Sequence, residues 1–89
     1  AMSKSANTAV TAVYSGTFDP LTLGHEDAIR RAAQMFDQVI IAVAVAHHKK
    51  TLFSLDERVA LAQAALADCP NVKALPFDLA VTMWLSAQR

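Results

Sequence analysis

Gln38-Val39-Ile40-Ile41-Ala42-Val43-Ala44-Val45 carries no charge, is rich in β-branched residues, and has the length of a strand rather than of a helix. An apolar run without a hydrophilic face cannot leave either side against water. It therefore predicts a strand of a parallel sheet, with helices packed above and below. Upstream, Ala9 to Tyr14 has the same character and is ended by Ser15-Gly16, so a second strand covered on both faces is expected there. Between the two, from Gly24 to Phe36, Ile29, Ala32, Ala33 and Phe36 fall at i, i+3, i+4 and i+7. Glu26 with Arg30 and Asp27 with Arg31 are i, i+4 pairs on the polar side, and the segment reads as an amphipathic helix.

Downstream, Ser54 followed three residues later by Glu57 is a capping box, and Asp56 adds negative charge at the positive end of a helix dipole. The apolar stripe of that second helix is Leu55, Val59, Ala62 and Leu66, and Asp68-Cys69-Pro70-Asn71 stops it. Val72 to Phe77 supplies a third strand and Leu79 to Gln88 a third helix. The order β-α-β-α-β-α, with right-handed crossovers between parallel strands, gives one half of a doubly wound, Rossmann-like α/β sheet.

The bulk composition agrees. With 89 residues, 54% of them hydrophobic, 18% charged and only two glycines, the chain reads as one ordered domain, short for a complete α/β enzyme. Residues 1–8 read as a flexible lead-in, and residues 9–89 as the ordered part. Eight basic and eight acidic residues cancel, so no long-range field draws polymeric nucleic acid or an anionic membrane. No apolar run approaches the roughly 20 residues of a membrane span. The single cysteine, Cys69, fits a reducing cytoplasm and sits in no metal-binding spacing.

The chemistry is carried by Tyr14-Ser15-Gly16-Thr17-Phe18-Asp19-Pro20-Leu21-Thr22-Leu23-Gly24-His25, which leaves the first strand and enters the first helix. In open α/β sheets ligands bind beyond the carboxyl ends of the strands, where helix N-termini present free N–H groups to phosphate. Gly16 lets the backbone approach a ligand, Gly24 lets the chain turn into the helix, and His25 stands in its first turn. An imidazole there can donate to a phosphate oxygen, and a bound phosphate would favour its protonated form. Neither GxGxxG nor GxxxxGKS/T occurs, so a different nucleotide motif is required.

Gly16-Thr17-Phe18-Asp19-Pro20 followed by Thr22-Leu23-Gly24-His25 resembles the T/HxGH signature of the nucleotidylyltransferase superfamily. Ala46-His47-His48-Lys49-Lys50 with Phe53-Ser54-Leu55-Asp56-Glu57-Arg58 resembles the KKPxFSLEER segment of the bacterial phosphopantetheine adenylyltransferases. The likeness covers roughly residues 12–77. It implies transfer of an adenylyl group from ATP to 4'-phosphopantetheine, giving dephospho-coenzyme A and pyrophosphate, with magnesium as cofactor and a homohexamer as assembly. By the same resemblance Thr17 contacts both substrates, Phe18 makes a backbone contact to ATP, and His25 stabilises the transition state. Lys49 bridges the transferring phosphate to the pantetheine side, and Ala80 falls near a position that contacts the pantetheine arm. Such a reaction needs alignment and charge neutralisation rather than a side-chain nucleophile.

The family's RGLR and ISSTxVR motifs do not occur, so residues 9–89 correspond to the N-terminal part of a single nucleotidyltransferase domain and the chain is expected to be incomplete. Sister transferases acting on nicotinate mononucleotide or glycerol phosphate, and a non-catalytic phosphate- or pantetheine-binding fragment, are the alternative readings. The remaining conspicuous residues have plainer roles. His47 and His48 lack a third metal ligand and read as a solvated loop. Asp19 before Pro20 is expected to form an Asx-type turn. Trp84 reads as core or subunit contact, and Cys69 as without a redox role.

Overall fold

The computed structural model describes residues 10–45 and 50–87. Six elements alternate: β1 (Thr11–Gly16), α1 (Leu23–Met35), β2 (Gln38–Val43), α2 (Leu55–Ala65), β3 (Val72–Pro76) and α3 (Phe77–Ala87). The three strands form a parallel sheet in the order β1-β2-β3, with Thr11 opposite Gln38 and Val39 opposite Val72. The most apolar strand is thus the central one, as its lack of a polar face requires.

Alternation along β2 sorts the core into two layers. Val39, Ile41 and Val43 face one way, onto Ile29 of α1 and Ala62 and Leu66 of the α2 segment. Ile40 and Ala42 face the other way, onto Ala80 of α3, with Met83 and Trp84 packed around them. Ile29 and every residue from Val39 to Val43 have no exposed surface. Each large member contributes about 1.5–3 kcal/mol of hydrophobic stabilisation. This two-sided wrapping is that of half a doubly wound, Rossmann-like fold. No helix of the described residues is long and apolar enough to cross a membrane.

Several boundaries and one burial expectation are corrected. β1 includes Ser15 and Gly16 rather than ending at them, and β2 stops at Val43. α3 begins at Phe77, directly from β3, instead of at Leu79. β1 is not covered on both faces: Val13 is 39% exposed beside a hollow that Phe77, Val81 and Trp84 of α3 line without filling, at the edge of the sheet. The same run of apolar residues serves a central strand and an edge strand, and composition alone does not separate them.

The helix ends close in different ways. Ser54 Oγ accepts from the Glu57 N–H at 3.1 Å while Glu57 Oε1 accepts from the Ser54 N–H at 2.9 Å, the expected capping box. At the other end of α1 no glycine is present, and the Asn71 side-chain amide donates to the carbonyls of Ala33 (2.8 Å) and Phe36 (3.3 Å). Arg31 pairs with Asp27 at 3.0 Å as expected. Arg30, by contrast, lies 3.9 Å from Glu26 and turns mainly to Asp68 and the Ala65 carbonyl, fastening α1 to the end of α2.

Candidate functional site

The chain leaves β1 at Gly16 and reaches α1 through a turn whose shape is set by Phe18. Phe18 has φ = 51°, the left-handed region, which costs a residue with a Cβ roughly 1–2 kcal/mol. Burial of its ring, only 4% exposed, offsets that cost. The ring lies over Gly16, where a Cβ would stand 3.1 Å from Phe18 Cζ. Gly16 is therefore small to admit a ring of its own loop. Gly24 is exposed, has no positive φ, and a Cβ there would meet only Thr22 Oγ1 at 3.7 Å, so the turn into α1 does not require it.

His25 is the third residue of α1 and completes an unusual cap. Thr22 Oγ1 accepts from the His25 N–H at 3.2 Å, and His25 Nδ1 accepts from the Thr22 N–H at 3.1 Å. A backbone N–H can only donate, so Nδ1 must be unprotonated and the ring hydrogen sits on Nε2. Imidazole here does what Glu or Gln does in the usual capping box. The ring is also held by edge contacts to Phe18 (centroids 5.0 Å apart, planes at 82°) and to Tyr14 (6.4 Å, 75°). In this geometry Nε2 points away from the cap and has no hydrogen-bond partner among the described residues.

Two residues brace this turn against the chain entering α2. Asp19 accepts from the N–H groups of Leu52 (2.6 Å) and Phe53 (2.9 Å), each carboxylate oxygen taking one. This long-range bridge replaces the expected local Asx turn. Arg58, 3% exposed, donates from Nη1 to the carbonyls of Thr17 and Ala44, both at 2.8 Å, and from Nε to that of Phe53 at 3.2 Å. Sequence reasoning placed Arg58 in a motif without giving it a task. Its position on the buried stripe of α2, one residue before Val59, was the available signal.

Thr17, Phe18 and His25 are thus brought together at the carboxyl end of β1. Lys49 lies outside the described residues, as do His47 and His48 and the lead-in of residues 1–8. Ala80 is not in this group: it has no exposed surface and packs on Ile40 and Ala42 under α3. The part of α3 that does reach the carboxyl edge is its start, where Phe77 and Asp78 line a cavity of about 280 Å³ with Ala44 and Val45. Among the described residues no group of three or more His, Cys, Asp or Glu could hold a metal ion. The described residues therefore supply no complete magnesium site of their own.

Comparison with known proteins concerns the chain as a whole. The chain is 65% identical over 79 residues to a phosphopantetheine adenylyltransferase of Acidovorax sp. (strain JS42), covering 89% of this chain and 48% of the relative. It is 60% identical over 66 residues to that of Methylobacillus flagellatus, covering 74% of this chain and 41% of the relative. The chain therefore spans about half the length, or less, of the curated relatives it matches. Among solved structures, the NadR protein in complex with NAD and AMP-PNP superposes with a TM-score of 0.68 over 91% of this chain and 26% of its own, at 22% identity. That likeness concerns the fold. The sequence profile of the Cytidylyltransferase-like family matches residues 13–88, and the chain, with its imidazole-capped helix beyond the first parallel strand, belongs to that family.

Proposed function

We propose that residues 9–89 form the N-terminal part of a phosphopantetheine adenylyltransferase domain, acting in the cytoplasm to transfer the adenylyl group of ATP to 4'-phosphopantetheine. The observation that carries the reading is the reciprocal Thr22–His25 cap. It fixes the tautomer and orientation of the imidazole and leaves Nε2–H as a donor beside the N-terminus of α1, where helix dipole and N–H groups favour an anion. The identity to adenylyltransferases of this name supports the choice of substrates.

In this reading the acceptor's phosphate oxygen attacks the α-phosphate of ATP, forming the new P–O bond as the bond to pyrophosphate breaks. His25 Nε2–H donates to the α-phosphate oxygen on which charge develops, and donors fixed before reaction lose nothing to reorientation. Thr17 contacts both substrates, and the Phe18 backbone, turned by its left-handed φ, meets the nucleotide. Lys49 accompanies the transferring phosphate as a point charge. Magnesium belongs, in this proposal, to the phosphates of the nucleotide as part of the substrate. Homohexamer assembly rests on the family resemblance, and light scattering checks it.

The deciding experiment supplies the complete protein with ATP and, separately, 4'-phosphopantetheine, nicotinate mononucleotide or glycerol 3-phosphate, and follows pyrophosphate. Release with phosphopantetheine alone is expected. Preference for another acceptor would replace the substrate assignment, and no release with any acceptor would overturn the reading. Lys49→Ala is expected to raise KM for phosphopantetheine and lower kcat, with Lys50→Ala close to wild type. Equal losses at both positions would show that the register through this loop is wrong.

A further inference from the structure

We infer that Arg58 is a positioning residue for the transfer site, acting through Thr17. The inference rests on the reading above for its kinetic consequence, but its structural content stands on the geometry alone. The guanidinium ties together three carbonyls from three separate stretches: Thr17 beyond β1, Ala44 beyond β2, and Phe53 before α2. The Ala44 N–H in turn donates to the Gly16 carbonyl at 2.8 Å, so the ends of β1 and β2 are already in register where the arginine seizes them. The spacing between the turn bearing Thr17 and the chain entering α2 is set by one rigid, planar group.

Two features separate this from ordinary anchoring of a helix. Bringing a cation to 3% exposure is costly, and no carboxylate pairs with Arg58 among the described residues. Carbonyls alone could be held by a neutral amide at much lower cost. The charge lies at the carboxyl edge of the sheet, where it adds positive potential to the place that receives phosphate. The Asp19 carboxylate, next but one to Thr17, makes a second tie to the same incoming chain at Leu52 and Phe53. The turn is therefore fixed from both sides, by a cation on its carbonyl and an anion from its own side chain.

The test compares Arg58→Met and Arg58→Lys in the complete protein. Methionine keeps the aliphatic stem and loses every donor. Lysine keeps the charge and a donor near the Nη1 position, but not the Nε bond to Phe53. Displacement of a substrate-contacting group by about 1 Å costs on the order of a hundredfold in rate. The expected result is a fall in kcat of roughly that size for methionine and an intermediate fall for lysine, with KM for each substrate changed less than kcat. Amide hydrogen exchange of residues 16–19 should quicken by at least about tenfold in the methionine variant, while that of β2 stays unchanged.

Wild-type kcat together with wild-type exchange at residues 16–19 in a folded Arg58→Met or Arg58→Lys would overturn the inference. If methionine prevents folding, the lysine variant decides by the same two measurements. Quickened exchange with an inactive wild type would retain the positioning role and remove the adenylyl-transfer reading, so the two failures are distinguishable.

Discussion

At residue 25 one side chain serves two tasks that mutation can separate. The imidazole caps α1 through Nδ1 and presents a donor through Nε2, so His25→Ala removes both the cap and the donor. Thr22→Ala removes the other half of the cap, the bond from the His25 N–H, and leaves the imidazole in place. Loss of a cap of this type costs about 1 kcal/mol of stability. In the complete protein, Thr22→Ala is expected to lower stability by that amount with kcat reduced only a few fold. His25→Ala should lower stability similarly but reduce kcat by at least about a hundredfold, as removal of an oxyanion donor does. Urea melts and steady-state kinetics on the pair check this. Equal kcat for the two variants would confine His25 to the cap. The need for a histidine in the first turn was legible in Thr22-Leu23-Gly24-His25, but its tautomer was not. That depends on which backbone group the ring meets, a fact of three-dimensional geometry.

Among the elements, α2 and the turn beyond it hold carboxylates whose titration reports on folding. Bonds from the Ser54 N–H and hydroxyl hold Glu57 below its ordinary value of 4.5, and the Arg30 guanidinium holds Asp68 below 3.8. A carboxylate depressed in the folded state adds stability that is complete above its ordinary value and is lost as pH falls through its folded value. Stability from these two groups is therefore intact at neutral pH and declines below about pH 4.5. Glu57→Gln keeps a capping acceptor but does not titrate, so its melting temperature should fall less than that of wild type between pH 6 and about pH 3. Parallel acid losses in the two proteins would remove Glu57 from the effect. The capping box was legible because its partners are three residues apart in sequence. The Arg30–Asp68 bond joins residues 38 apart, and the nearer Glu26 was the better guess from the helix surface alone. The start of α3 was missed for a related reason: Pro76 ends β3 and Phe77 opens the helix with no loop or polar cap between them to mark it.

For the molecule as a whole, central β2 and the helical spacing of α1 and α2 were enough to read the half-sheet, while the exposure of β1 depends on what neighbours it. β1 pairs on one side only among the described residues, with Val13 exposed on it and Val10 exposed just before it. A hollow of about 430 Å³ between β1 and α3, lined by Val13, Ser15, Phe77, Val81 and Trp84, adjoins that edge. Open strand edges beside apolar surface favour association. Expressed alone, the 89-residue chain is expected to sediment as more than a monomer and to bind ATP too weakly for calorimetry at micromolar concentrations. A monodisperse monomer that turns over ATP and phosphopantetheine would refute this expectation.

The division of the core into two layers also bears on how the chain is made. α1 is synthesised just before β2 and α2 soon after it, so the layer of Val39, Ile41 and Val43 is sheltered early. Ile40 and Ala42 wait for Ala80, Met83 and Trp84, which are synthesised about 40 residues later. Until then one side of the sheet is bare. A nascent chain from which Phe77–Ala87 has not yet emerged leaves that side open to solvent, and exposed apolar strand surface at that stage favours aggregation.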